Sequence, residues 1–575
     1  MTKSTINNSS DGAESSLLPG SADVVRIIPM GGCGEFGMNM TAYICAGKLF
    51  VVDCGVMFPD PMKLGVEAVI PKVHDVFKQC GGVYAWIITH GHDDHIGALP
   101  YLIDKYPAPI YATPWTAELI QNRFNRKGIG EQHTITVVEP GDHVTAPGFD
   151  AEYVPVNHSI PHACALFIRT HAMKIFHTGD FRFDDNPVIE EPISKSLLRK
   201  IGDEGVDLLL ADSTNAQQKG YGPSESSTKG PLSETFDTAK GAIVVTLFSS
   251  NFWRIKTIVD ICIEKGRKLL VLGPGVEASF AAAAATGLYQ IPDGVRVDEN
   301  QAKHVPRKEL AVIVTGSQGE YRSALMRISL GEHKAFRIQD DDVVVFSSRM
   351  IPGNERVAQM MMANLERLGA KIITTRQNPG IHVSGHAYSG ELAELMQCLR
   401  PKHFIPIHGT FSHMHANELI PAAHQLKDTK TFMMENGDVV DVTKKSVSRF
   451  KKIEPEWEFI DSESYVPIPY ETLRERLRIG ELGVAIIGGV FSLEKKSFTH
   501  IPSITIQGLA FPGGINVQQW LEEASMYVAE AVIKGAKTGS TSAADLNEEA
   551  RVNLRRQLFA TLGKKPVVLA NLIIV

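Results

Sequence analysis

Short apolar runs separated by glycine-containing turns dominate the chain from Val24 to about Val154. Apolar runs closed by glycine are typical of strands, and apolar residues at helical spacing follow one of them. The pattern predicts a strand-rich α/β region in which polar residues collect where strands end. The predicted strands here and just beyond are VVRIIPMGG, MTAYICAG, KLFVVDCG, AWIITHG, FDAEYVPV, CALFIRT, MKIFHTGD and VDLLLADST, and the predicted helix is IGALPYLIDKY.

A more regular alternation of strand and helix follows the segment 217–234, which is rich in glycine, serine and proline. Apolar runs alternate there with helical patterns near 252–265 and 354–368, an order typical of a parallel sheet. The sequence therefore predicts an inserted α/β domain. Its predicted strands are GAIVVTLFSS, KLLVLG, LAVIVTGS, DVVVFSS and KIITT.

Polar motifs at strand ends resume after Arg376, in NPGIHVSGHAYSG and HFIPIHGT. A basic stretch, KKSVSRFKKIEPEWEF, then precedes a smaller unit that ends in two predicted helices and the strand PVVLANLIIV. The domains predicted from these changes are a disordered tail over 1–20, a first domain over 21–225 and 376–448, an inserted domain over 226–375, a linker over 449–460 and a C-terminal domain over 461–575.

Composition and charge narrow the classes of protein. Hydrophobic residues make up 43% of the 575 and charged residues 21%, as in ordinary soluble proteins. The 58 basic and 65 acidic residues give a net charge of −7, so nucleic acid would have to bind in a local groove. The seven cysteines are dispersed, no apolar run is long enough to span a membrane, and the polar N-terminus lacks a signal sequence. We therefore expect a cytoplasmic protein with no membrane contact.

The stretch ITHGHDDHIGALP concentrates metal-ligand residue types on one turn between a predicted strand and a helix. Imidazole and carboxylate groups suit zinc or manganese. On a strand-end turn, His90 and His92 point one way while Asp94 and His95 point elsewhere, so the turn can serve two ions, about 3.5–4 Å apart as in other two-metal sites. A polar loop with coincidental histidines is the alternative, and the HxHxDH spacing argues against it.

One turn cannot complete two coordination spheres, so further ligands are expected at other strand ends. The chain offers His158 in VPVNHSIPH, Asp180 in FHTGDFRFD and His408 in PIHGT. A carboxylate between two cations can bridge them, which is the role predicted for Asp180. Asp53, in VVDCGVMFPD, is a further candidate at a strand end.

These residues carry a resemblance to a known family. The ordered ligand set resembles the metallo-β-lactamase fold, and ADSTN, HVSGHA and PIHG resemble its β-CASP branch, which processes nucleic acids. From about Val24 to Val575 the chain is similar to the ribonuclease J family, with PMGGCGEFGMNM, DCGVMFPD, LGVEAVIP and TGSQGE among the shared motifs. The resemblance implies an α/β fold: a metallo-β-lactamase αββα sandwich, an inserted β-CASP parallel α/β domain and a small C-terminal α+β domain.

The resemblance also implies roles for individual residues. Asp53 would orient a ligand without binding metal, and it is grouped with Asp94 and His386 as catalytic. His386 would stabilise the transition state or protonate the leaving oxygen. The implied first-metal ligands are His90, His92 and His158, the second-metal ligands are Asp94, His95 and His408, the bridge is Asp180, and the RNA-phosphate contacts are His382, Ser384 and Gly385.

The implied activity is hydrolysis of RNA phosphodiesters by a hydroxide bound to two metal ions. Zinc is the expected metal, two ions per subunit, with manganese or magnesium as alternatives. The resemblance implies a 5′-to-3′ exonuclease with endonuclease activity, acting in RNA maturation and mRNA decay. It also implies single-stranded RNA as the substrate, a homodimer or homotetramer, and partners in RNA degradation.

Several other residues have two interpretations. The segment LFSSNFWRIK offers Phe248, Phe252, Trp253, Arg254 and Lys256 either as a track for single-stranded RNA or as the buried start of a helix. His177 is expected to be structural, and His162 is open between a supporting and a solvated position. His413 and His415 are expected to begin a helix. Asp212 is expected to support the histidines.

The chain also departs from the family pattern at Thr410, Tyr321 and Trp253, where relatives commonly have Glu, Pro and His. These departures remove no predicted metal ligand, so they bear on how RNA is held. Three rival functions remain: a DNA-directed β-CASP nuclease, a small-molecule metallohydrolase and a catalytically silent RNA-binding scaffold. The inserted domain argues against the small-molecule enzyme, and the full ligand set argues against the scaffold.

Overall fold

A computed structural model describes residues 16–59, 65–351, 353–539 and 542–575 of the chain. The described residues fall into two compact units. The first contains the described residues up to 58 and those in 69–458, and the second contains those in 59–68 and 459–575.

Two mixed β-sheets face each other in the first unit. Their facing sides bury apolar residues from both, including Tyr43, Phe50, Tyr153 and Leu210. The eight-stranded sheet has the spatial order Val447–Lys452, Asp438–Val442, Val25–Gly31, Met40–Cys45, Lys48–Val52, Ala85–Ile87, Ile110–Ala112 and Ile135–Val137. The seven-stranded sheet has the order Lys430–Thr431, His403–Ile407, Leu208–Asp212, Lys174–His177, Cys164–Arg169, Phe149–Pro155 and His143–Ala146.

Helices complete the αββα sandwich. Lys195–Glu204 and Ser389–Leu399 bury Leu198 and Leu392 in a cluster that also holds residues of the seven-stranded sheet. The helix predicted over 96–106 is wrong in length, because the structure has only the one-turn helix Leu99–Leu102 inside that range, after another one-turn helix at Asp93–Ile96. The helices of this domain are His74–Gln79, Asp93–Ile96, Leu99–Leu102, Pro114–Lys127, Lys195–Glu204, Ser389–Leu399, Phe411–Glu418 and Ile420–Ala423, and a two-stranded sheet joins Cys33–Gly34 to Gly409–Thr410.

The inserted domain is built on a wholly parallel sheet of six strands. In a parallel sheet the loops after the strands all emerge at the same edge, where α/β proteins bind their ligands. The strand order is Arg296–Val297, Lys268–Leu272, Leu310–Val314, Ile243–Thr246, Val343–Phe346 and Lys371–Ile373. The helices are Lys229–Thr238, Phe252–Glu264, Pro274–Ala285, Glu299–Ala302, Ala324–Ser329 and Glu355–Arg367, with 3-10 turns at Glu225–Thr228, Arg307–Glu309 and Pro379–Ile381.

The second unit has a core of its own, formed between a sheet and two long helices. Residues such as Phe491, Val528 and Leu554 are fully buried in it, so the first long helix faces a core. The main sheet of this unit contains Val484–Ser492, Ser497–Phe498, Ser503–Gln507 and Val567–Ile574. Val66–Pro71, Trp457–Asp461 and Pro467–Ile468 form a separate three-stranded sheet. The helices are Tyr470–Leu482, Val517–Thr538 and Ala543–Leu562.

Two segments predicted to be irregular have ordered structure. The linker predicted over 449–460 is largely β-structure, because Val447–Lys452 pairs with Asp438–Val442 at the edge of a sheet. Residues 1–15 of the predicted tail lie outside the described residues. The rest of that segment is ordered: Leu17 is fully buried, and its carbonyl accepts a 3.0 Å hydrogen bond from Arg26 Nη1. Both segments are polar in composition, which favours irregular structure. Hydrogen bonds to residues elsewhere in the chain nevertheless give them ordered structure.

No helix among the described residues is both long and apolar enough to cross a membrane.

Candidate active site

The turn after the strand Ala85–Ile87 brings distant residues to one place between the two sheets. Three overlapping sets of histidine and aspartate have ligand atoms within 4.8 Å of one another, and Asp180 belongs to all three. The sets are His90, His92, His158 and Asp180; Asp94, His95, Asp180 and His408; and Asp180, Asp212, His386 and His408. Every residue predicted as a metal ligand from the sequence lies in the first two sets.

Nitrogen lone pairs converge in the first set. His158 Nδ1 donates to the Gly385 carbonyl at 2.6 Å and His90 Nδ1 lies 3.0 Å from Thr89 Oγ1, so the Nε2 atom of each ring is left without a proton. Both Nε2 atoms lie 3.1 Å from His92 Nδ1 and 3.6 Å from Asp180 Oδ2. Lone pairs held this close repel one another unless a cation lies between them. This donor set therefore fits a metal ion.

The second set has the same chemistry with more carboxylate. His95 Nδ1 donates to Asp53 Oδ2 at 2.8 Å, which turns its Nε2 toward Asp180 Oδ1 at 3.3 Å and Asp94 Oδ2 at 3.6 Å. His408 lies 2.8 Å from Asp180 Oδ1 and 3.4 Å from Asp94 Oδ2. The two carboxylate oxygens of Asp180 thus face different sets, as a bridging ligand requires.

The backbone holds two of these residues in an unusual conformation. Asp53 and His408 have φ angles of 62° and 54°, in the left-handed region that non-glycine residues seldom adopt. Asp53 ends a strand there and accepts hydrogen bonds from Thr89 N at 2.8 Å and Thr89 Oγ1 at 2.9 Å, as well as from His95. Through these bonds Asp53 fixes the rings of His95 and, by way of Thr89, of His90.

Neighbouring charges and burial have opposite effects on the pKa values of the site's histidines and aspartates. Burial lowers the pKa of His95, but the carboxylates of Asp180, Asp94 and Asp53 together raise the pKa well above its usual value. Burial raises the pKa of Asp180, and the charges of His408 and His95 outweigh burial and hold that pKa well below its usual value. Burial lowers the pKa of His92 to about 4, so His92 is neutral and able to bind metal near pH 7.

His386 lies beside the metal-ligand sets and pairs with Asp212. Its Nδ1 donates to Asp212 Oδ2 at 2.8 Å and lies 3.9 Å from Asp180 Oδ2. Burial lowers the pKa of His386, but the Asp212 carboxylate and then Asp180 raise the pKa above its usual value. Asp212 Oδ1 also lies 3.4 Å from His408 Nδ1, so this carboxylate supports both histidines.

The motif HVSGHA forms a loop against the first set. Gly385 supplies the carbonyl that orients His158, and a Cβ atom at Gly385 would lie 2.9 Å from ring atoms of His158. Ser384 Oγ accepts from Asn215 Nδ2 at 2.8 Å, and the Ser384 carbonyl accepts from Arg182 Nη1 at 2.7 Å. The loop is therefore tied to the metal-ligand residues at its glycine and to the rest of the fold at its serine.

We predict that Gly385→Ala lowers metal content and activity together. The added methyl group must displace the His158 ring or the loop, and disturbing a group that orients a ligand costs about 10- to 100-fold in metal affinity or activity. Metal analysis of purified protein and kcat/KM would measure this. Gly230→Ala is the matched control, because no atom lies within 4 Å of its added Cβ. Full metal content in Gly385→Ala would contradict the prediction.

Of the two interpretations of Phe248–Lys256, the buried start of a helix holds for the central residues. Phe252, Trp253 and Arg254 are buried, with Arg254 completely inaccessible. Arg254 forms a buried ion pair with Glu225 at 2.7 Å and donates to the Ile381 carbonyl at 2.8 Å. The side chains begin the helix Phe252–Glu264 with their apolar and charged groups turned inward, which is the structural alternative left open by the sequence.

The remaining candidates lie at or near the site in different roles. His177 is buried with its Nδ1 2.8 Å from Tyr43 Oη, a structural position. His162 Nδ1 accepts from Trp115 N at 3.4 Å. His413 lies in the helix Phe411–Glu418 with its Nδ1 2.7 Å from Thr410 Oγ1, and His415 is exposed on the same helix.

Two of the residues that depart from the family pattern, Trp253 and Tyr321, differ in burial and contacts. Trp253 Nε1 donates to the His158 carbonyl at 3.1 Å, so this tryptophan joins the inserted domain to a predicted metal ligand. Tyr321 is 85% exposed in the loop after Leu310–Val314.

Three further residues that position the candidate ligands were not predicted from the sequence, in contrast to Asp53 and Asp212. Thr89 immediately precedes the candidate metal-binding turn, and Asn215 is the last residue of ADSTN. Asn39 Nδ2 donates to Asp94 Oδ2 at 3.1 Å and lies 3.0 Å from His95 Nε2. Asn39 lies two residues after Gly37 in the motif FGMNM. The glycine marks a turn, and its φ angle is positive in the structure, so a turn at this point is what the sequence offered as an indication of a site.

Four protein-family models match successive parts of the chain. The metallo-beta-lactamase superfamily matches residues 45–218, and the beta-CASP domain of ribonuclease J matches 240–365. The Zn-dependent metallo-hydrolase RNA specificity domain matches 378–428, and the ribonuclease J C-terminal domain matches 471–575. The matches confirm the predicted fold class, with the β-CASP domain inserted between the two parts of the metallo-β-lactamase domain.

The chain is also similar to whole proteins. Ribonuclease J of Mycobacterium tuberculosis (strain ATCC 25618 / H37Rv) is 35% identical over 80% of this chain and 82% of its own. Ribonuclease J2 of Bacillus subtilis (strain 168) is 30% identical over 95% of this chain and 98% of its own. A crystal structure of a protein of unknown function from Enterococcus faecalis V583 shares the fold, with a TM-score of 0.51 and 13% identity over 73% of this chain and 100% of that one. Because relatives of this identity are matched over most of their length, the chain belongs to the ribonuclease J family.

Proposed function

We propose that this protein is a metal-dependent ribonuclease that hydrolyses RNA phosphodiesters. The observation that carries the proposal is the pair of ligand sets that share Asp180, with the His386–Asp212 pair and the Ser384 loop beside them. Membership in the ribonuclease J family supports RNA as the substrate. Without the inserted domain and its loop, the ligand sets alone would fit many metallohydrolases.

Two zinc ions are the proposed cofactors, one in each of the first two ligand sets. Imidazole nitrogen with carboxylate oxygen is a zinc-type donor set, and manganese is accepted by the same donors. Such ions supply an activated water at neutral pH and offset negative charge on a phosphoryl group. Asp94 has 31% of its side chain exposed, against 6% for His408 and 2% for Asp180, so substrate is proposed to approach on its side.

Residues of the chain are proposed to orient the metal ligands, bind the substrate phosphate and supply a proton. Asp53 and Thr89 keep the ligand rings oriented before substrate binds. Ser384 is proposed to hold a substrate phosphate by its hydroxyl, and His382 and the Gly385 loop to line the same place. His386 is proposed to hold a proton on Nε2 and to give it to the departing 3′-oxygen, because Asp212 occupies Nδ1 and favours the protonated ring. The product then carries a 5′-phosphate.

Exonuclease action from the 5′ end with accompanying endonuclease action is proposed from the family resemblance, in RNA maturation and mRNA decay. Single-stranded RNA is the proposed substrate form, and assembly as a homodimer or homotetramer, partners in RNA degradation and a cytoplasmic location complete the proposal. None of these features depends on the ligand geometry, so each can fail without the hydrolysis proposal failing.

The test compares one single-stranded RNA sequence with a 5′-monophosphate, 5′-triphosphate or 5′-hydroxyl end, with zinc or manganese present. We expect release of mononucleotides, fastest from the monophosphate, and loss of the activity in Asp94→Ala. Internal fragments that do not depend on the 5′ end would assign a mainly endonucleolytic enzyme. A DNA strand of the same sequence serves as the specificity control, and equal cleavage of it would favour a DNA-directed nuclease. Absence of any RNA cleavage by protein with its metals bound would refute the proposal.

A further inference from the structure

Arg349 is a basic residue at the carboxyl edge of the inserted sheet. Arg349 follows the strand Val343–Phe346 by three residues and is exposed. None of the ion pairs of the described residues includes Arg349, whereas the buried Arg254 is paired with Glu225 at 2.7 Å. An unpaired guanidinium beside a cleft is a common anchor for phosphate, because its fork of donors matches phosphate oxygens.

The position of Arg349 links it to the HVSGHA loop. Its Nη1 donates to Asn215 Oδ1 at 3.3 Å, and Asn215 Nδ2 donates to Ser384 Oγ at 2.8 Å and to the His386 carbonyl at 3.1 Å. Arg349 thereby fixes which end of the Asn215 amide faces Ser384. Its own carbonyl accepts from Gln318 Nε2 at 3.0 Å, which ties the arginine to the neighbouring loop of the sheet.

This arrangement leaves the Ser384 hydroxyl ready to donate. Ser384 Oγ accepts from Asn215 Nδ2 and, at 3.4 Å, from the His386 amide. With both lone pairs occupied, its hydrogen has to point to a third group. Among the described residues no acceptor for that hydrogen is found at hydrogen-bond distance, so the hydroxyl is free to bind an oxygen that arrives with a ligand.

A second polar group in the same place also lacks a partner. His382 Nδ1 is buried without a hydrogen-bond partner among the described residues, although the Ser347 backbone lies close enough to the ring to act on its pKa in the upward direction. Burial, followed by the positive charges of Arg254 and Arg349, lowers the pKa of His382 to about 3, so the ring is neutral near pH 7. A buried ring nitrogen without a hydrogen-bond partner costs free energy unless a bound ligand supplies the missing hydrogen bond.

We propose that Arg349 is the cationic member of a phosphate-binding subsite for RNA, formed with Ser384 and His382. The inference rests on the proposed function. The bound phosphate is either an internal phosphodiester of the strand or its 5′-terminal phosphate, and the chemistry of recognition is the same for both.

The test measures binding of single-stranded RNA oligonucleotides with hydrolysis-resistant phosphorothioate linkages to the metal-loaded, full-length protein. Affinity is measured over a range of salt concentrations. Each phosphate contact to a single strand contributes a slope of about −0.7 in log K against log salt. Arg349→Gln is expected to reduce the slope by about that amount and to weaken binding about 10- to 100-fold, as for the loss of a charged hydrogen bond. Arg349→Lys is expected to keep the slope, with weaker binding, because a point charge replaces the fork.

Arg367→Gln is the matched control. Arg367 is an exposed arginine at the carboxyl end of the helix Glu355–Arg367, which runs back from the edge that carries Arg349. This variant is expected to bind with the unchanged slope. Thermal unfolding of all three variants checks that the fold is kept.

A comparison of two RNAs shows whether the bound phosphate is internal or lies at the 5′ end. A loss in Arg349→Gln that is equal for 5′-hydroxyl and 5′-monophosphate RNA assigns the subsite to an internal phosphodiester, and a loss confined to the monophosphate assigns it to the terminal phosphate. An unchanged slope in Arg349→Gln on both RNAs, even with reduced kcat, overturns the inference and leaves Arg349 only as a support for Asn215. If the wild-type protein neither binds nor cleaves RNA, the proposed function itself has failed.

Discussion

Asp180→Asn is expected to abolish activity by removing the charge that the two ligand sets share. The substitution keeps the volume of the side chain, but an amide cannot present an anionic oxygen to each of two cations. Bridging charge of this kind is worth several kcal/mol, so kcat/KM on single-stranded RNA should fall on the order of 10³-fold or more. Metal content measured on purified protein should fall below that of the wild type, since every candidate ligand set includes Asp180.

Asp185→Asn is the matched control for this prediction. Asp185 is an exposed carboxylate five residues further along the same segment, and its loss should leave both metal content and activity unchanged. Circular dichroism and thermal unfolding would show that both variants are folded. An Asp180→Asn protein that kept its full metal content and lost less than about tenfold in kcat/KM would contradict a bridging role, because that loss amounts to only about 1.4 kcal/mol.

The candidate ligands could be located in the sequence because most of them follow the end of a strand. His90, Asp180 and His408 all follow short apolar runs, and sheets that face each other bring the ends of such strands together. The spacing HxHxDH and the order of the motifs carried the rest of the prediction. What sequence pattern could not supply was the tautomer of each ring, which is set by partners such as the Gly385 carbonyl, more than 200 residues away along the chain.

Burial was harder to predict than chemistry. Phe252, Trp253 and Arg254 have the composition of an RNA-binding track, yet the helix turns them inward and Glu225 neutralises the arginine. Arg349 shows the converse, because nothing in SSRMIPGN distinguishes an exposed cation at the cleft from an ordinary surface arginine. In both cases the deciding contact comes from another part of the chain. Local patterns carry no information about such contacts.

The β-structure of the predicted linker could not be read from its composition for the same reason. Residues 449–460 contain lysines, glutamates and a proline, which favour an irregular linker. In the structure Arg449 pairs with the buried carboxylate of Asp438 at 2.7 Å, and the strand beneath it supplies the backbone partners. An edge strand rich in lysine is a common arrangement, because charge discourages pairing with another chain.

The role of His386 can be separated from that of the metal ligands by the choice of leaving group. With RNA the departing 3′-oxygen is strongly basic and needs a proton, so His386→Ala should lower kcat by about 10²- to 10⁴-fold, the usual contribution of a positioned general acid. A nucleoside 5′-(p-nitrophenyl) phosphate releases p-nitrophenolate, which leaves without a proton. We therefore expect His386→Ala to hydrolyse this ester at nearly the wild-type rate, with exposed His424→Ala as the matched control on both substrates.

The two substrates and a metal analysis together distinguish three roles for His386. An equal loss on both substrates would mean that His386 stabilises charge on the phosphoryl group and does not protonate the leaving oxygen. Loss of one metal ion would assign His386 to the third ligand set, which it shares with Asp180, Asp212 and His408. The 2.8 Å hydrogen bond between His386 Nδ1 and Asp212 leaves only Nε2 for either task. The geometry favours proton transfer, since Asp212 already orients the ring and stabilises its protonated form.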